Sequence, residues 1–417
     1  MINPFSSQTP GLKWRRQSES IFKTSGLVAI MIAIGFLAFM VGTIAWQGSG
    51  ALRESQIQLN VDLSELTVED IETTSFDALY KKALKQQFPD VKGRKTVRKL
   101  YGLLSPDAGY ELRNHVRDNP ELAGQKIDFW FLASDDADLY IKGAVNVELP
   151  ENRRKFNDLE VSLVDSLSAD DQVRRQFNTR FFLNGDSREP ELAGILSSLV
   201  GTFYSLIVCF AISFPIGVGA AIYLEEFAKK NRMSAIIEVN INNLAAVPSI
   251  VFGLLGLAIF LNFFGLPRSS PLVGGMVLAL MTLPTIIIAS RAALRAVPPS
   301  IREAALGIGA SKVQTTFHHV APLALPGMLT GAIVGMARAI GETAPLLMIG
   351  MVAFIADVPQ GFLDSATALP VQIFLWADAP QVSFKEKTSA AIIVLLSVLV
   401  LMNILAIVLR RKFERRF

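Results

Sequence analysis

Two ionisable residues lie in an apolar stretch near the C-terminal end, and their types suit chemistry on an anion. Arg338 and Glu342 interrupt the apolar run 322–354. Ionisable residues inside a membrane span are costly and usually functional. An arginine offers an oxyanion a planar, permanently charged set of N–H donors. We therefore predict an anion-handling site, in which Glu342 orients Arg338 and keeps it from trapping the anion.

Helical spacing places this pair on a face made of glycine. Gly327, Gly331 and Gly335 recur every four residues. At about 100° per residue, Arg338 and Glu342 fall on the same face. Small residues at this spacing let helices approach closely, so we expect the face to point into protein. Two interpretations stay open: the pair lines a route for an anion, or it only locks two helices together.

A polar segment, residues 298–320, precedes this run and has the features of a docking surface. We predict two short helices parallel to the membrane, the first capped by Ser300 with Glu303 as its capping-box partner. The second would begin near Ser311. The small residues that would leave the backbone open to a partner are Ala304, Ala305, Gly307 and Gly309.

The composition predicts that membrane spans position these residues. Of 417 residues, 51% are hydrophobic and 18% are charged, whereas globular proteins are nearer a quarter charged. A span needs about 20 apolar residues. The run 25–46 exceeds the apolar core of a signal peptide, so we predict an uncleaved first helix, with a cleaved signal as the alternative. The six predicted spans are 25–46, 192–224, 235–264, 271–290, 322–354 and 389–409.

Basic residues cluster on one side of these spans. If residues 1–24 are cytoplasmic, the segments after spans two and four are cytoplasmic too, as is the C-terminus. This arrangement satisfies the positive-inside rule and places both termini in the cytoplasm. The basic residues concerned are Lys229, Lys230, Arg232, Arg291, Arg295, Arg302, Lys312, Arg410, Arg411, Lys412, Arg415 and Arg416.

Residues 47–190 differ in character, because charges of both signs are dense and no run is long enough to span. We predict a small soluble α+β domain, inserted outside the cytoplasm between helices 1 and 2 of a polytopic α-helical membrane protein. Strand-like stretches are 57–63 and 129–145, and helix-like stretches are 76–88 and 96–104. The acidic stretch 135–138 lacks the glycine and closing glutamate of a calcium loop and is interpreted as a solvated turn. No metal-ligand spacing occurs among the three histidines and one cysteine.

The polar segment resembles the EAA motif of ABC importer permeases. The residues that match are Glu303, Ala304, Ala305, Gly309 and Pro322. His319 and Ala321 stand where the general motif has Ile and Leu. The resemblance implies an ABC importer permease fold for 191–417, in which 298–320 docks on an ATPase subunit.

A closer resemblance is to the PstA-type permease subunit of phosphate ABC importers. The similar phrases are 201–228, 241–257, 283–312 and 337–347. It covers roughly 192–416 and leaves 47–190 out, so it says nothing about that domain. The resemblance implies a pathway for inorganic phosphate through the bacterial inner membrane. The residues we place in that pathway are Arg338, Glu342, Thr343 and Arg291.

The resemblance also implies partners, beyond the lipid bilayer itself. They are a PstC-type permease subunit, two PstB-type ATP-binding subunits and a periplasmic PstS-type phosphate-binding protein; no nucleic acid is expected. The chain has no Walker A phrase, so we predict a transport subunit without its own cofactor, catalytic residues or metal, whose partner uses ATP. The alternatives are a permease for sulfate or molybdate, a membrane sensor using 47–190, and a gradient-driven carrier. Docking of the binding protein is our hypothesis for 47–190.

Overall fold

The computed structural model describes residues 10–229, 231–352 and 354–413. Several residues named above lie outside this range: residues 1–9 of the basic N-terminal segment, Lys230, and Arg415 and Arg416 of the C-terminal cluster.

The first helix is longer than the span predicted within it. Helix α1 runs over Pro10–Gly48 and joins the basic segment and the span 25–46 in one rod. None of its most apolar stretch is buried within the chain. A helix that is apolar all round needs lipid or another protein around it.

A three-stranded antiparallel sheet with helices follows α1 and forms the inserted domain. Its strands are β1 (Arg53–Asp62), β2 (Lys126–Leu132) and β3 (Val173–Phe177), in the order β2-β1-β3. Ile57 on the central strand pairs with Phe131 on one side and Val173 on the other. The helices are α2 (Phe76–Gln87), α3 (Arg94–Tyr101), α4 (Ala108–Asp118), α5 (Asp135–Ile141), α6 (Asp158–Ala169) and α7 (Arg180–Leu183).

Most sequence predictions for this domain are confirmed, but the acidic stretch is a correction. The predicted strand 129–145 ends at Leu132, and 135–138 forms the first turn of α5. Acidic residues are favourable at a helix N-terminus, because the helix dipole is positive there. The Asp138 carboxylate also accepts the backbone N–H of Ser55 at 2.9 Å. The stretch therefore ties α5 to the sheet and is not a solvated turn.

The rest of the chain is helical. Its helices are α8 (Leu196–Ile222), α9 (Arg232–Ala245), α10 (Ser249–Gly256), α11 (Pro271–Ala296), α12 (Pro299–Gly307), α13 (Lys312–Gln314), α14 (Ala321–Gly341), α15 (Ala344–Met348), α16 (Leu369–Ala377) and α17 (Ser383–Phe413). Three π-helical turns extend them: Tyr223–Phe227 after α8, Leu257–Phe263 after α10, and Thr315–Val320 between α13 and α14.

Five spans rather than six are continuous helices. Within the described residues, α1, α8, α11, the unbroken helix Lys312–Gly341 and α17 are long and apolar enough to cross a membrane. The predicted span 235–264 is instead a pair, α9 and α10, bent by 99°. Pro248 stands at the break; it has no N–H to donate and its ring disfavours a helical residue before it.

Helix α11 lies at the centre of the membrane bundle. It packs against α8 and α14 along its length, and α1 packs against α17. Buried side chains of α11 facing the bundle include Val273, Val277 and Met281. This packing fixes where α14, the helix carrying Arg338, stands.

The inserted domain is attached to the membrane bundle at the start of α17. The Lys142 ammonium of the domain lies 3.7 Å from the Glu386 carboxylate, and the neighbouring Lys387 ammonium donates at 2.6 Å to the carbonyl of Ala193, just after the domain. Burial raises the pKa of the nearby Glu191 carboxyl to about 7. First and last spans thus meet the domain at one charged junction.

Candidate anion pathway and coupling surface

Arg338 stands where its helix ends. Helix α14 stops at Gly341, and Glu342 follows with an extended backbone (φ −82°, ψ 116°). The prediction that Glu342 shares the helical face is therefore wrong. The reason is Pro345, whose ring would clash with the carbonyl four residues back, that of Gly341. The apolar run 322–354 is an interrupted helix and not one span.

Arg338 and Glu342 nevertheless form an ion pair. Nε of Arg338 lies 3.3 Å from Oε1 of Glu342, and the two side chains are 48% and 20% exposed. Among the described residues, the other N–H groups of Arg338 have no hydrogen-bond partner. Irregular backbone at membrane depth is tolerated where it is enclosed by protein or lines a water-filled cavity. The site can therefore offer a charged group with free donors beside an unwound segment.

Thr343 occupies the N-cap position of α15 in the unwound segment. The short helix α15 packs against α10: a Cβ at Gly253 would lie 2.8 Å from the Pro345 Cα. Two interrupted helices, α9–α10 and α14–α15, thus meet at α15, which begins six residues after Arg338. Discontinuous helices of this kind build substrate sites in many membrane transporters.

The glycine face of α14 packs directly on α11. A Cβ at Gly327 would lie 2.5 Å from that of Ala293, and one at Gly331 would lie 2.3 Å from that of Ala289. Gly335 has ordinary room, with Thr282 at 3.6 Å. Only the first two glycines are therefore required for the close approach of the helices.

Arg291 is not brought together with Arg338. It lies on α11 between the residues that face Gly331 and Gly327, which places it roughly 14 Å along the axis from Arg338. Its side chain is largely buried, with Nη2 at 3.0 Å from Glu238 and Nε at 3.4 Å from Glu225. These acidic partners hold Arg291 inside the bundle, away from the site of Arg338.

A second arginine makes the strongest ionic contact of this region. Arg302, on α12, binds the Glu226 carboxylate through Nη2 at 2.7 Å and Nε at 3.2 Å. It also donates to the carbonyls of Val297 (2.8 Å) and Leu294 (2.9 Å). One side chain therefore joins α12 to the end of α8 and the end of α11. Sequence reasoning missed Glu225 and Glu226, although an acidic pair directly after an apolar run was the signal.

The polar segment folds differently from the prediction at both of its ends. Pro298, not Ser300, is the N-cap of α12, and no side chain caps it. Pro299 fits the first helical position, because its missing N–H is unused there. The second helix does begin after Ser311, whose side chain forms a capping box with Gln314. It then continues without a break into α14 and does not lie as a separate helix along the membrane.

The residues of the EAA pattern mostly face outward. Glu303 and Ala304 are exposed, Ala305 is buried, and Pro322 is exposed at the start of α14. Gly309 has φ +91°, a conformation that other residues adopt only with strain. Glu303 forms no ion pair in the part of the chain that the structure describes.

Comparisons with known proteins agree with this arrangement. Residues 213–417 match the family described as binding-protein-dependent transport system inner membrane component. The phosphate transport system permease protein PstA 1 of Mycobacterium tuberculosis (strain CDC 1551 / Oshkosh) is 30% identical over 234 residues, covering 56% of this chain and 76% of that protein. The chain belongs to the PstA family of ABC transporter permeases. It is thus a multi-pass transport subunit with an ABC importer permease fold.

Other comparisons cover different parts of the chain. The probable ABC transporter permease YqgI of Bacillus subtilis is 34% identical over 41% of this chain and 58% of its own length. A solved structure of the MetNI methionine ABC transporter, inward facing, is 18% identical with a TM-score of 0.42, over 53% of this chain and 95% of that one. Residues 9–151 match a domain of unknown function, DUF3333. That match ends before α6 and β3, which complete the sheet domain.

The coupling segment of this PstA-family chain also exposes apolar side chains that sequence reasoning passed over. Large apolar residues project from α12, the turn after it, α13 and the π-helical turn: Leu306, Ile308, Val313 and Phe317. Together with Glu303, they define what we call the coupling patch. Exposed apolar groups clustered on a polar segment mark a protein contact surface.

Proposed function

We propose that this chain is one permease subunit of an ATP-driven importer of inorganic phosphate. The relatives named as phosphate permeases support the substrate class. The transport subunit contributes a path and a coupling surface, and it performs no covalent chemistry itself. ATP is bound and hydrolysed by the partner, so this chain holds no cofactor.

The observation that carries the proposal is the free donor capacity of Arg338. Its guanidinium touches Glu342 through one nitrogen only and is half-exposed at the end of α14. A guanidinium with free N–H groups can bind a phosphate oxygen pair bidentately. Glu342, and the hydroxyl of Thr343 beside it, would keep that contact weak enough to release the anion.

The coupling patch is proposed to dock on an ATP-binding subunit of the PstB type. Its apolar side chains and exposed Glu303 present both parts of a protein interface, an apolar centre and a charged rim. The junction of Arg302 with Glu226 would transmit movement of α12 to α8. Residues 298–320 would thus receive the force of ATP binding.

The remaining partners follow from the same proposal. A PstC-type permease subunit would complete the path beside this chain, and a PstS-type protein would deliver phosphate on the side of the inserted domain. That side is periplasmic if the positive-inside rule holds, with both termini in the cytoplasm of a bacterial cell. The sheet domain is our proposed contact for the binding protein.

The test is reconstitution of the four-component system in vesicles. We expect uptake of labelled phosphate that needs ATP and the binding protein. Competition by unlabelled phosphate, but not by sulfate or molybdate, supports the substrate assignment. Uptake that ignores ATP would indicate a gradient-driven carrier instead. No uptake with any of the three anions, from an assembled complex, would favour the sensor alternative.

A further inference from the structure

A groove of about 930 Å³ opens where α1 and α17 meet the inserted domain. We call it the basic groove. Its walls come from the end of α1 and the chain after it, from strand β3, and from the start of α17. The residues that matter for its chemistry are Trp46, Arg53, Arg175, Phe177, Val382 and Lys385.

The apolar part of the groove is unusually exposed. Trp46 is 83% exposed and Phe177 is 58% exposed. Tryptophan at the end of an apolar helix is typical of the interface between bilayer and water. Apolar side chains of α1 are exposed up to the groove, so hydrocarbon chains can follow the helix directly to it.

The basic part of the groove carries uncompensated charge. Arg53, Arg175 and Lys385 are exposed, and within the described ranges none of them takes part in an ion pair. Lys142 and Glu386 also line the groove. Lys142 contacts both Asp138 (2.5 Å) and Glu386 (3.7 Å), so these three groups together add one negative charge beside the three cations. A net positive charge therefore surrounds an apolar floor.

The sheet holds these charges in place. Arg53 on β1 stands directly opposite Phe177 on β3. Arg175 lies two residues before Phe177 and so faces the same side of the strand. Its guanidinium also donates to the Ile141 carbonyl, which fixes its direction and leaves other N–H groups for a ligand.

We propose that the basic groove binds an anionic phospholipid from the leaflet on the side of the inserted domain. Arg53, Arg175 and Lys385 hold its phosphate, and its acyl chains lie along α1 beside Trp46. Guanidinium groups match the geometry of phosphate oxygens. Free orthophosphate would use the cations but leave the exposed apolar wall without a role. A protein partner would be expected to bring acidic side chains, and it is one of the outcomes of the test.

The test uses the purified full-length chain in detergent, titrated with phosphatidylglycerol or phosphatidylcholine, with bound lipids counted by native mass spectrometry. We expect a preference for phosphatidylglycerol. In the triple variant Arg53→Gln, Arg175→Gln, Lys385→Gln the affinity for that lipid should fall, by about fivefold for each charge removed. The single variant Lys385→Gln alters no hydrogen bond of its side chain in the described structure and gives a second measurement if the triple variant folds poorly.

A matched control is available on the same domain. Arg94, Arg98 and Lys99 are two exposed arginines and one exposed lysine that do not line the groove. Their replacement by Gln should leave the lipid preference unchanged. An equal loss in this control would overturn the proposal, because affinity would then follow net charge alone.

Two further outcomes would reject a lipid site. If inorganic phosphate displaces phosphatidylglycerol and binds the Trp46→Ala variant as tightly as the unmodified chain, the groove is a free-anion site. If the assembled complex retains no lipid and a partner subunit protects Trp46 from oxidation in lipid-free detergent, the groove is a protein interface.

Discussion

Arg302 and Arg338 differ in how many of their guanidinium nitrogens form hydrogen bonds within the chain. Arg302 uses all three guanidinium nitrogens, on Glu226 and two carbonyls, and joins three helices. Arg338 uses one nitrogen, on Glu342, at 3.3 Å. A saturated arginine holds structure together, whereas an arginine with free donors can bind something else. The number of guanidinium nitrogens that already have partners therefore distinguishes a structural arginine from a candidate binding arginine.

The contact between Arg302 and Glu226 predicts that the fold loses stability when the carboxylate is removed. The variant Glu226→Gln removes the anionic partner of the partly buried Arg302 guanidinium, which we expect to cost about 2 kcal/mol of stability. Thermal unfolding of the purified complex measures it. Glu121→Gln, which removes an exposed carboxylate of the inserted domain, should leave the unfolding temperature unchanged. Equal unfolding temperatures for the Glu226 variant and the unmodified chain would refute the role of Arg302 as a joint.

Substitutions of Arg338 should reduce phosphate transport and leave the stability of the fold unchanged. Arg338→Gln removes the free donors, and we expect uptake at low phosphate to fall at least about tenfold, the usual effect of losing a hydrogen bond to a charged group. Arg338→Lys keeps the charge but not the planar fork and should give an intermediate value. Arg268→Gln, in an exposed loop, is the control. Unmodified uptake in both Arg338 variants would leave only the helix-locking interpretation.

Glu191 lies at the junction with the inserted domain, and its pKa makes a further prediction. Its carboxyl is buried, which raises its pKa, and Oε2 has no partner in the described structure. Its pKa is about 7 in the fold and near 4.5 without it. Between these values the unfolded chain releases a proton that the fold retains, so stability should fall as pH rises, by at most about 1.4 kcal/mol per unit.

Unfolding temperatures measured between pH 5 and 7 would show this slope. The charged neighbours are Asp135, Glu189 and Lys387, and they remain in place in the variant Glu191→Gln. That variant should have a flatter profile. The same slope in the variant and in the unmodified chain would assign the pH dependence to other groups.

The smallest expected effect concerns the packing that positions Arg338. Gly331→Ala pushes its Cβ against that of Ala289 and should cost about 1 kcal/mol, as overpacking of a tight core does. Gly335→Ala meets only ordinary contacts and should raise the unfolding temperature slightly, because alanine is favoured over glycine within a helix. The two unfolding temperatures, compared directly, provide the measurement. The reverse order would show that α11 and α14 are less close than the geometry indicates.

The sequence predicted the helices and their contacts, but not the positions at which helices are interrupted. The four-residue glycine repeat predicted a close helix contact, and Gly327 and Gly331 make one. Proline position alone could not predict where helices stop. Pro215, Pro284 and Pro326 lie inside continuous helices, whereas Pro248 and Pro345 accompany breaks. Tertiary contacts decide between these outcomes, such as those of α15 with α10, which a sequence does not display.

The residues of the candidate site were predictable only where a charge lies inside an apolar run. Arg338 and Glu342 stood out because each is costly in an apolar run. Glu225, Glu226 and Glu238 did not, because each lies at the edge of one, where charges are common. Their importance depends on which arginines the fold brings to them, and those lie at least 50 residues away in the sequence.

The unbroken helix Lys312–Gly341 connects the coupling patch to Arg338 as one rigid element. Its 30 residues make a rod of about 45 Å. One end emerges from the coupling patch and the other carries Arg338. If the rod tilted by roughly 5° about one end, the other would sweep through about 4 Å. Glu342 directly follows the last residue of this rod, so the ion pair would move with it as a unit. A small rotation at the patch is therefore large enough to shift the Arg338 site relative to its surroundings by more than the length of a hydrogen bond, about 3 Å.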